Sequence, residues 1–412
     1  MREQLASATT RVVNAASRRL GRGQGTVAGG RAGLRIDRRL LEHLSAGRQV
    51  ALVTGTNGKT TTTRLLTVAL GANGDAVVSN ETGSNMPPGH VAALVGSDAP
   101  RAVLEVDESY LPRVLTATSA AATVLLNLSR DQLDRTNEVR MVAGRWRAAL
   151  AAAPRTQVVA NADDPLVVWG ADAAKAVHWV GAGLRWRLDA VGCPSCEGRI
   201  TFGEDGWRCQ DCGFARPEPE ASLVRDVDGS AVGVWADGRC LPIRLTLPGR
   251  FNQANALMAA VAAEACGIAA ADALAAMADV QHVAGRFTVR AFGDSLARLM
   301  LAKNPAGWEE LLDLVSTGDA PLVVSINART ADGADPSWLW DVPYERLAGR
   351  SVVATGDRFR DLSVRLHYAG VVHRTEPDPR RAVLVAAEHG GDAVVDVIGN
   401  YTAFHDLLGA PA

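Results

Sequence analysis

The chain has 412 residues, enough for two or three domains with substantial cores. Its 47% hydrophobic and 21% charged residues and formal net charge of −2 describe a globular chain and exclude a nucleic-acid binder held by bulk positive charge. No apolar run is long enough to span a membrane. The first expected element lies within Met1–Arg22, which is Arg-rich with almost no acid. A targeting peptide shares that composition, but no secretory apolar segment follows. The expectation is an amphipathic helix that packs Leu5, Val12, Val13, Ala16 and Leu20 on the domain behind it.

Gln49–Val53 reads as a buried strand, and Thr61–Leu70 has the apolar spacing of a helix. Between them runs Thr54-Gly55-Thr56-Asn57-Gly58-Lys59-Thr60-Thr61. A glycine-rich turn in that position aims backbone N–H groups at one spot, at the positive end of a helix dipole. Lys59 then reaches the β/γ-phosphates of a nucleotide and the Thr60 hydroxyl ligates Mg²⁺, with Thr56, Asn57, Gly58 and Thr61 completing the cradle. Only three of the 43 basic residues are lysines, Lys59, Lys175 and Lys303. Lys59 is expected to be an exposed loop lysine kept for phosphate charge, and Lys175 a surface residue on an Ala-rich helical stretch.

Ala102–Val106 is the next strand, followed by Asp107 and Glu108 and containing Glu105. Carboxylates at the C-terminal end of such a strand face the ligand crevice and suit Mg²⁺, with Glu105 the first choice and Asp107 or Glu108 in reserve. Further strands are expected at Ala122–Asn127 and Gln157–Asn161 and a long helix at Asn255–Cys266, together a parallel α/β sheet covered on both faces. About Leu188–Leu241 the pattern is interrupted by Cys193-Pro194-Ser195-Cys196, twelve residues, and Cys209-Gln210-Asp211-Cys212. Two C-x-x-C knuckles at this separation are the signature of a tetrahedral Cys₄ zinc ribbon, and four sulfurs leave no open position for catalysis. Redox pairs or disulfides are the alternative, unsupported by any secretion signal. Cys240 and Cys266 look like ordinary buried thiols. From about Thr288 a second, smaller α/β unit begins, with strands at Leu322–Asn327, Ser351–Thr355 and Ala393–Ile398.

Val53 stands where the general phosphate-loop pattern has its first glycine, and the form T-G-T-N-G-K-T-T resembles the Mur ligases and folylpolyglutamate synthases. Further segments resemble Mur motifs in the same order. Leu126–Arg135 is similar to T-N-x-x-x-D-H-x-D, with Gln132 in place of the histidine that helps bind a second Mg²⁺. Asn161-Ala162-Asp163-Asp164-Pro165 is similar to N-x-D-D-P, and Leu247–Ala256 to G-x-H-N-x-x-N-A, which implies that Asn252 and Asn255 lie by the adenine. Val283–Phe287 is similar to the G-R motif, which implies that Arg286 approaches the phosphates. Where amino-acid-adding Mur ligases carry a carbamylated lysine, this chain reads Gly144-Arg145-Trp146-Arg147, and Met300–Pro305 lacks the acid of D-Y-A-H-N-P.

These altered motifs, the inserted ribbon, Leu301–Gly307 and the Trp-rich C-terminal segment closely resemble the MurT family, the Mur-ligase-like subunits of lipid II isoglutaminyl synthase. The resemblance implies an α/β fold: a helical segment (1–48), a Mur-ligase-type central P-loop ATPase domain (49–287) with the Cys₄ ribbon inserted at about 188–241, and a smaller C-terminal α/β domain (288–412). It implies a cytoplasmic ATP- and Mg²⁺-dependent ligase with structural Zn²⁺. The ligase would amidate the D-glutamate α-carboxylate of lipid II or its stem peptide through an acyl phosphate, with Lys59 and Glu105 in the ligase site. Ammonia would come from a GatD-like glutamine amidotransferase partner in a heterodimer, with no membrane span. In that family an aspartate completes the partner's Cys-His pair; here it is expected to be Asp335, with Asp341 in reserve. The plainer readings are an acidic surface loop anchored by buried Trp338 and Trp340, and, for the whole chain, an amino-acid-adding Mur or folylpolyglutamate-type ligase or a non-catalytic interaction protein.

Overall fold

The computed structural model describes residues 1–19, 26–80, 84–130, 139–281, 287–316, 318–388 and 394–409. Leu20, Gln132, Arg286 and Ala393, on which expectations were placed, lie outside the described residues. The chain divides into two compact units, the first comprising 1–128, 138–247 and 251–281, the second 129–137, 248–250 and 282–412. Among the described residues, no helix is long and apolar enough to cross a membrane.

The first unit is built on a nine-stranded sheet. Its strands are β1 (Gln49–Thr54), β2 (Val77–Ser79), β3 (Arg101–Glu105), β4 (Ala122–Leu125), β5 (Gln157–Asn161), β6 (Ala176–Gly181), β9 (Ala221–Arg225), β10 (Ala231–Trp235) and β11 (Cys240–Pro242); β7 (Ile200–Gly203) and β8 (Gly206–Cys209) form a separate hairpin. The order is β11-β10-β9-β6-β5-β4-β1-β3-β2, with β1 to β6 parallel. Fully buried runs such as Val50–Thr54 and Ala122–Leu125 suit strands covered on both faces. The ribbon hairpin alone stands apart from this sheet. Strands β9 to β11, within the stretch read from sequence as insertion, extend the sheet instead: β9 runs parallel to β6, and β10 and β11 follow as an antiparallel meander.

The N-terminal helix forms over Arg2–Arg19, but on a different face from the expected one. Ala6, Thr10 and Asn14 are buried, while Leu5 and Val12 are 59% and 68% exposed and Ala16 is exposed. The cause is the partner helix Thr26–Ile36, which offers glycines to this face. A Cβ on Gly29 would sit 2.7 Å from the Thr10 carbonyl oxygen, and one on Gly33 would strike the Thr10 hydroxyl. So close an approach admits small side chains and rejects leucine.

The second unit is a six-stranded sheet: β12 (Phe287–Phe292), β13 (Ser295–Leu301), β14 (Leu322–Ser325), β15 (Ser351–Thr355), β16 (Val372–Thr375) and β17 (Val395–Gly399). The order is β12-β13-β17-β14-β15-β16, parallel except for the β12–β13 hairpin. Helices Pro305–Ser316, Phe359–Tyr368, Pro379–Ala387 and Tyr401–Gly409 connect or follow the strands.

Candidate active site and metal centre

The phosphate loop leaves β1 at Thr54 and enters helix Lys59–Leu70. Gly58 holds φ at 86°, a left-handed conformation that favours glycine, and a Cβ there would lie 2.7 Å from Asn255 Oδ1. Helix Arg250–Ala265 thus brings Asn255 against the loop, with Asn252 buried one turn earlier. Asn127, just past β4, clamps the loop from the other side. Its carbonyl accepts the Thr56 N–H at 2.9 Å, its Oδ1 accepts the Asn57 N–H at 2.8 Å, and its Nδ2 donates to the Asn57 carbonyl at 3.0 Å. Strand β4 ends at Leu125, two residues short of the expected Asn127, although the Leu126 N–H still donates to the Thr54 carbonyl at 3.1 Å.

Lys59 is 3% exposed, which corrects the expectation of an exposed lysine. Its Nζ donates to the Gly55 and Thr56 carbonyls at 2.6 and 3.1 Å and to Glu108 Oε1 at 3.1 Å. A buried ammonium must be paired, and the loop's own carbonyls and Glu108 do this. Thr60 follows in the first helical turn, half-buried, with Thr61 buried beside it.

Glu105 ends β3 and is 4% exposed. No described side chain hydrogen-bonds its carboxylate, so this buried acid suits a cation. Its peptide group is fixed by residues that the sequence reading missed. Asn80 Oδ1 accepts the Glu105 N–H at 2.8 Å, and the Glu105 carbonyl accepts from Asn80 Nδ2 at 3.0 Å and His90 Nε2 at 2.8 Å. Burial holds the fully enclosed His90 neutral, lowering its pKa to about 4. Asp107 Oδ1 accepts the Ser109 N–H at 3.0 Å, and the Glu108 carbonyl accepts from Trp146 Nε1 at 2.9 Å. The segment lacking the carbamylated lysine therefore places a fully buried tryptophan against the acidic turn. Neighbouring Arg147 pairs with Asp172 and lies 5.5 Å over Trp169.

The N-x-D-D-P loop after β5 is structural in its second aspartate. Asp164 caps helix Pro165–Ala171 through the Leu166 and Val167 N–H groups at 2.9 and 3.3 Å, and accepts the Leu128 N–H at 2.8 Å. Burial raises its pKa to about 6.

In the ribbon the four sulfurs of Cys193, Cys196, Cys209 and Cys212 lie within 4.8 Å of one another, with Cys193–Cys212 and Cys196–Cys209 at 3.7 and 3.5 Å. A tetrahedral Zn–S bond of about 2.3 Å sets sulfur edges of about 3.8 Å, so the set fits zinc. Ile200 and Trp207 form a small core with Cys193, Cys209 and Val168. Trp207 Nε1 donates to the Ala162 carbonyl at 2.9 Å, tying the ribbon to the loop after β5. Of the remaining thiols Cys266 is buried as expected, but Cys240 is exposed on the outer strand β11. Lys175 is exposed in a bend just before β6, not on a helix.

In the second unit Lys303 is half-buried, and Asn304 Oδ1 accepts the Gly307 N–H at 2.9 Å at the start of helix Pro305–Ser316. The loop after β14 is tied down by its own side chains. The Asn400 side-chain amide bridges the Asn327 main chain, its Oδ1 accepting the Asn327 N–H at 3.0 Å and its Nδ2 donating to the Asn327 carbonyl at 2.6 Å, and Arg329 binds Asp357 at 2.7 Å and Asp406 at 2.8 Å. Asp332, 7% exposed, accepts the Thr402 N–H at 2.8 Å and the Thr402 hydroxyl. Asp335 is exposed, with Oδ1 accepting the Ser337 N–H at 2.8 Å, and Asp341 is exposed beyond it. Trp338 is buried near Trp308, whereas Trp340 is 55% exposed and stacks near Tyr368, ring centres 5.6 Å apart.

Residues 53–183 match the Mur ligase middle domain and residues 301–404 the MurT ligase C-terminal domain. The lipid II isoglutaminyl synthase (glutamine-hydrolyzing) subunit MurT of Streptococcus pneumoniae is 27% identical, covering 94% of this chain and 93% of its own. The subunit of the same name from Staphylococcus aureus is 29% identical over 99% of this chain and 97% of its own. Among solved structures, a pseudomurein peptide ligase type C from Methanothermus fervidus shares the fold at a TM-score of 0.68 and 18% identity, covering 90% of this chain and 81% of its own. The UDP-N-acetylmuramoyl-L-alanyl-D-glutamate--2,6-diaminopimelate ligase does so at 0.54 and 19%, covering 90% and 75%. The chain thus carries a Mur ligase middle domain and a MurT ligase C-terminal domain, and its curated relatives at 27–29% identity along nearly its whole length are MurT subunits.

Proposed function

We propose that this chain is the ligase subunit that amidates the D-glutamate α-carboxylate of the lipid II stem peptide, using ATP and ammonia released by a GatD-type glutaminase partner. One observation carries the reading: a phosphate loop with its paired lysine occurs in the same chain as a MurT-type C-terminal domain. In domain terms, 49–287 is the ATP-binding domain, 1–48 a helical segment before it and 288–412 the C-terminal domain.

A carboxylate is a poor electrophile. Transfer of the γ-phosphoryl group of ATP to a carboxylate oxygen gives an acyl phosphate and ADP. The ammonia lone pair then attacks the carbonyl carbon, the bond to the phosphate oxygen breaks, and phosphate leaves as the nitrogen sheds a proton. The loop N–H groups and Lys59, released from the Gly55 and Thr56 carbonyls, would meet the phosphate oxygens. Thr60 and Glu105 would hold Mg²⁺, which when bound neutralises phosphate charge. Asn252 and Asn255 stand for the adenine, and Arg286 for the phosphates. Neither cysteine outside the ribbon is placed as a glutaminase nucleophile: burial pushes the Cys266 thiol up to about 11, and Cys240 lies on the outer strand β11. Asp335, on the exposed loop after β14, would complete the partner's Cys-His pair by fixing the histidine tautomer. The setting is the cytoplasmic side of peptidoglycan synthesis.

The test is reconstitution with the partner glutaminase, lipid II, ATP and glutamine. Amide and ADP should appear in equal amounts, and ammonium salts should support amidation without the partner. Addition of an amino acid in place of ammonia would instead make the chain an amino-acid-adding ligase.

A further inference from the structure

A second crevice opens on the carboxyl edge of the nine-stranded sheet, at the ends of β5 and β6. It encloses about 450 Å³ between those strand ends and the β7–β8 hairpin. Buried Trp207 forms its floor and is hydrogen-bonded to Ala162, so the ribbon wall is fixed to the sheet. Arg216 on this floor is already neutralised by Asp163 at 2.7 Å. The other charges are uncommitted. Arg187 makes no ion pair among the described residues; its guanidinium lies 4.8 Å over the Phe202 ring and its Nε donates to the Leu184 carbonyl at 3.3 Å. Glu204 and Asp205, at the hairpin tip, and Glu218, which lines the same crevice, likewise make no ion pair among the described residues.

We propose that this crevice is an acceptor subsite for a zwitterionic amino-acid end, the ammonium and carboxylate of a diamino acid that follows glutamate in the stem peptide. The inference rests on the amidation reading above. A simple anion would meet Glu204, Asp205 and Glu218, and a simple cation would leave Arg187 unanswered. A group bearing both charges satisfies both walls, and the half-buried Phe202 supplies apolar surface for its methylene stem. The reach agrees. If the α-carboxylate is the reacting group, the peptide continues from the glutamate side chain, and ten bonds separate that carboxylate carbon from the far amino-acid carbon of 2,6-diaminopimelate. Extended, they cover about 12 Å. From the end of β1 to those of β5 and β6 is two to three strand spacings, roughly 10–15 Å.

The test uses the full complex with ammonium as nitrogen source and lipid II acceptors that differ only after glutamate: diaminopimelate, lysine and norleucine. KM should rise roughly tenfold with each charge removed, while kcat stays nearly constant. Arg187→Gln should erase the preference for diaminopimelate over lysine and leave the KM for ATP unchanged. The double variant Glu204→Gln, Asp205→Asn should erase the preference for lysine over norleucine. Equal KM for the three acceptors, or an Arg187→Gln effect equal on all three, overturns the subsite while the amidation reading stands. No amide from any acceptor overturns that reading and the subsite with it.

Discussion

Two loops of this molecule leave parallel strands at a carboxyl edge, and they are built in opposite ways. After β1 the loop is glycine-rich, clamped from outside by Asn127 and Asn255, and its lysine rests on carbonyls that phosphate oxygens can replace. After β14 the loop is filled from within: Asn327, Arg329 and Asp332 spend their polar groups on Asn400, Asp357, Asp406 and Thr402. The same architecture therefore offers one edge as a cradle and the other as a rigid platform with Asp335 and Trp340 on its outside. A bonded interior leaves no room for a ligand but holds an exposed side chain steady, which suits work on a partner.

The sharpest break in that comparison is Asp335→Asn. Loss of the acid that orients a catalytic histidine costs roughly 10³–10⁴-fold, so glutamine-dependent amidation should fall by about that factor while ammonium-dependent amidation is kept. Asp332→Asn should be run beside it. It removes an acceptor from a buried bond network, so instability should accompany any loss of rate. A larger selective loss at Asp332 than at Asp335 would move the triad acid to Asp332, and equal losses with both nitrogen sources would place the acid in the ligase site.

Next in size is Lys59→Ala, which should lower ATP-dependent amidation by roughly 10²–10³-fold with either nitrogen source. Because Lys59 is buried against Glu108, the variant should also lose about 1–2 kcal/mol of stability by denaturant titration. Near wild-type turnover would remove the nucleotide from the cradle.

For the ribbon, metal analysis of protein purified without added zinc should find close to one equivalent. The pair Cys193→Ser, Cys209→Ser should lower Tm by roughly 5–10 °C, as expected for about 3 kcal/mol in a unit of this size. An iron–sulfur chromophore, or no metal, would defeat the assignment.

The smallest effect is in pH dependence. His90 has its folded pKa lowered to about 4, so its contribution is full above its ordinary value near 6.5 and is lost as pH falls through 4. Asp164 has its folded pKa raised to about 6, so its contribution is present below 3.8 and lost as pH rises through 6. The two slopes oppose each other. His90→Asn removes only the first, so the stability gap between wild type and variant should widen by about 2–3 kcal/mol from pH 4 to 6.5. A gap constant with pH would show that His90 is not held neutral by burial.

The phosphate loop, the Cys₄ set and the strand–helix alternation were legible in the sequence because each is written in short spacings. Gly58-Lys59-Thr60 must begin a helix, and two C-x-x-C knuckles must each turn tightly, whatever surrounds them. β15 falls where its apolar run predicts, and β5 likewise. Tertiary structure alone decided what depends on neighbours distant in the chain. Lys59 is buried because Glu108, 49 residues away, arrives to pair with it. Asn80 and His90 become the clamp on Glu105 only when β3 pairs with β2, and Trp146 braces the acidic turn from a helix beyond β4. The N-terminal helix turned its small residues inward because the glycines it meets lie on another helix, and periodicity within one segment carries no record of the surface opposite. Local spacing sets conformation, whereas burial and partnership are settled by packing.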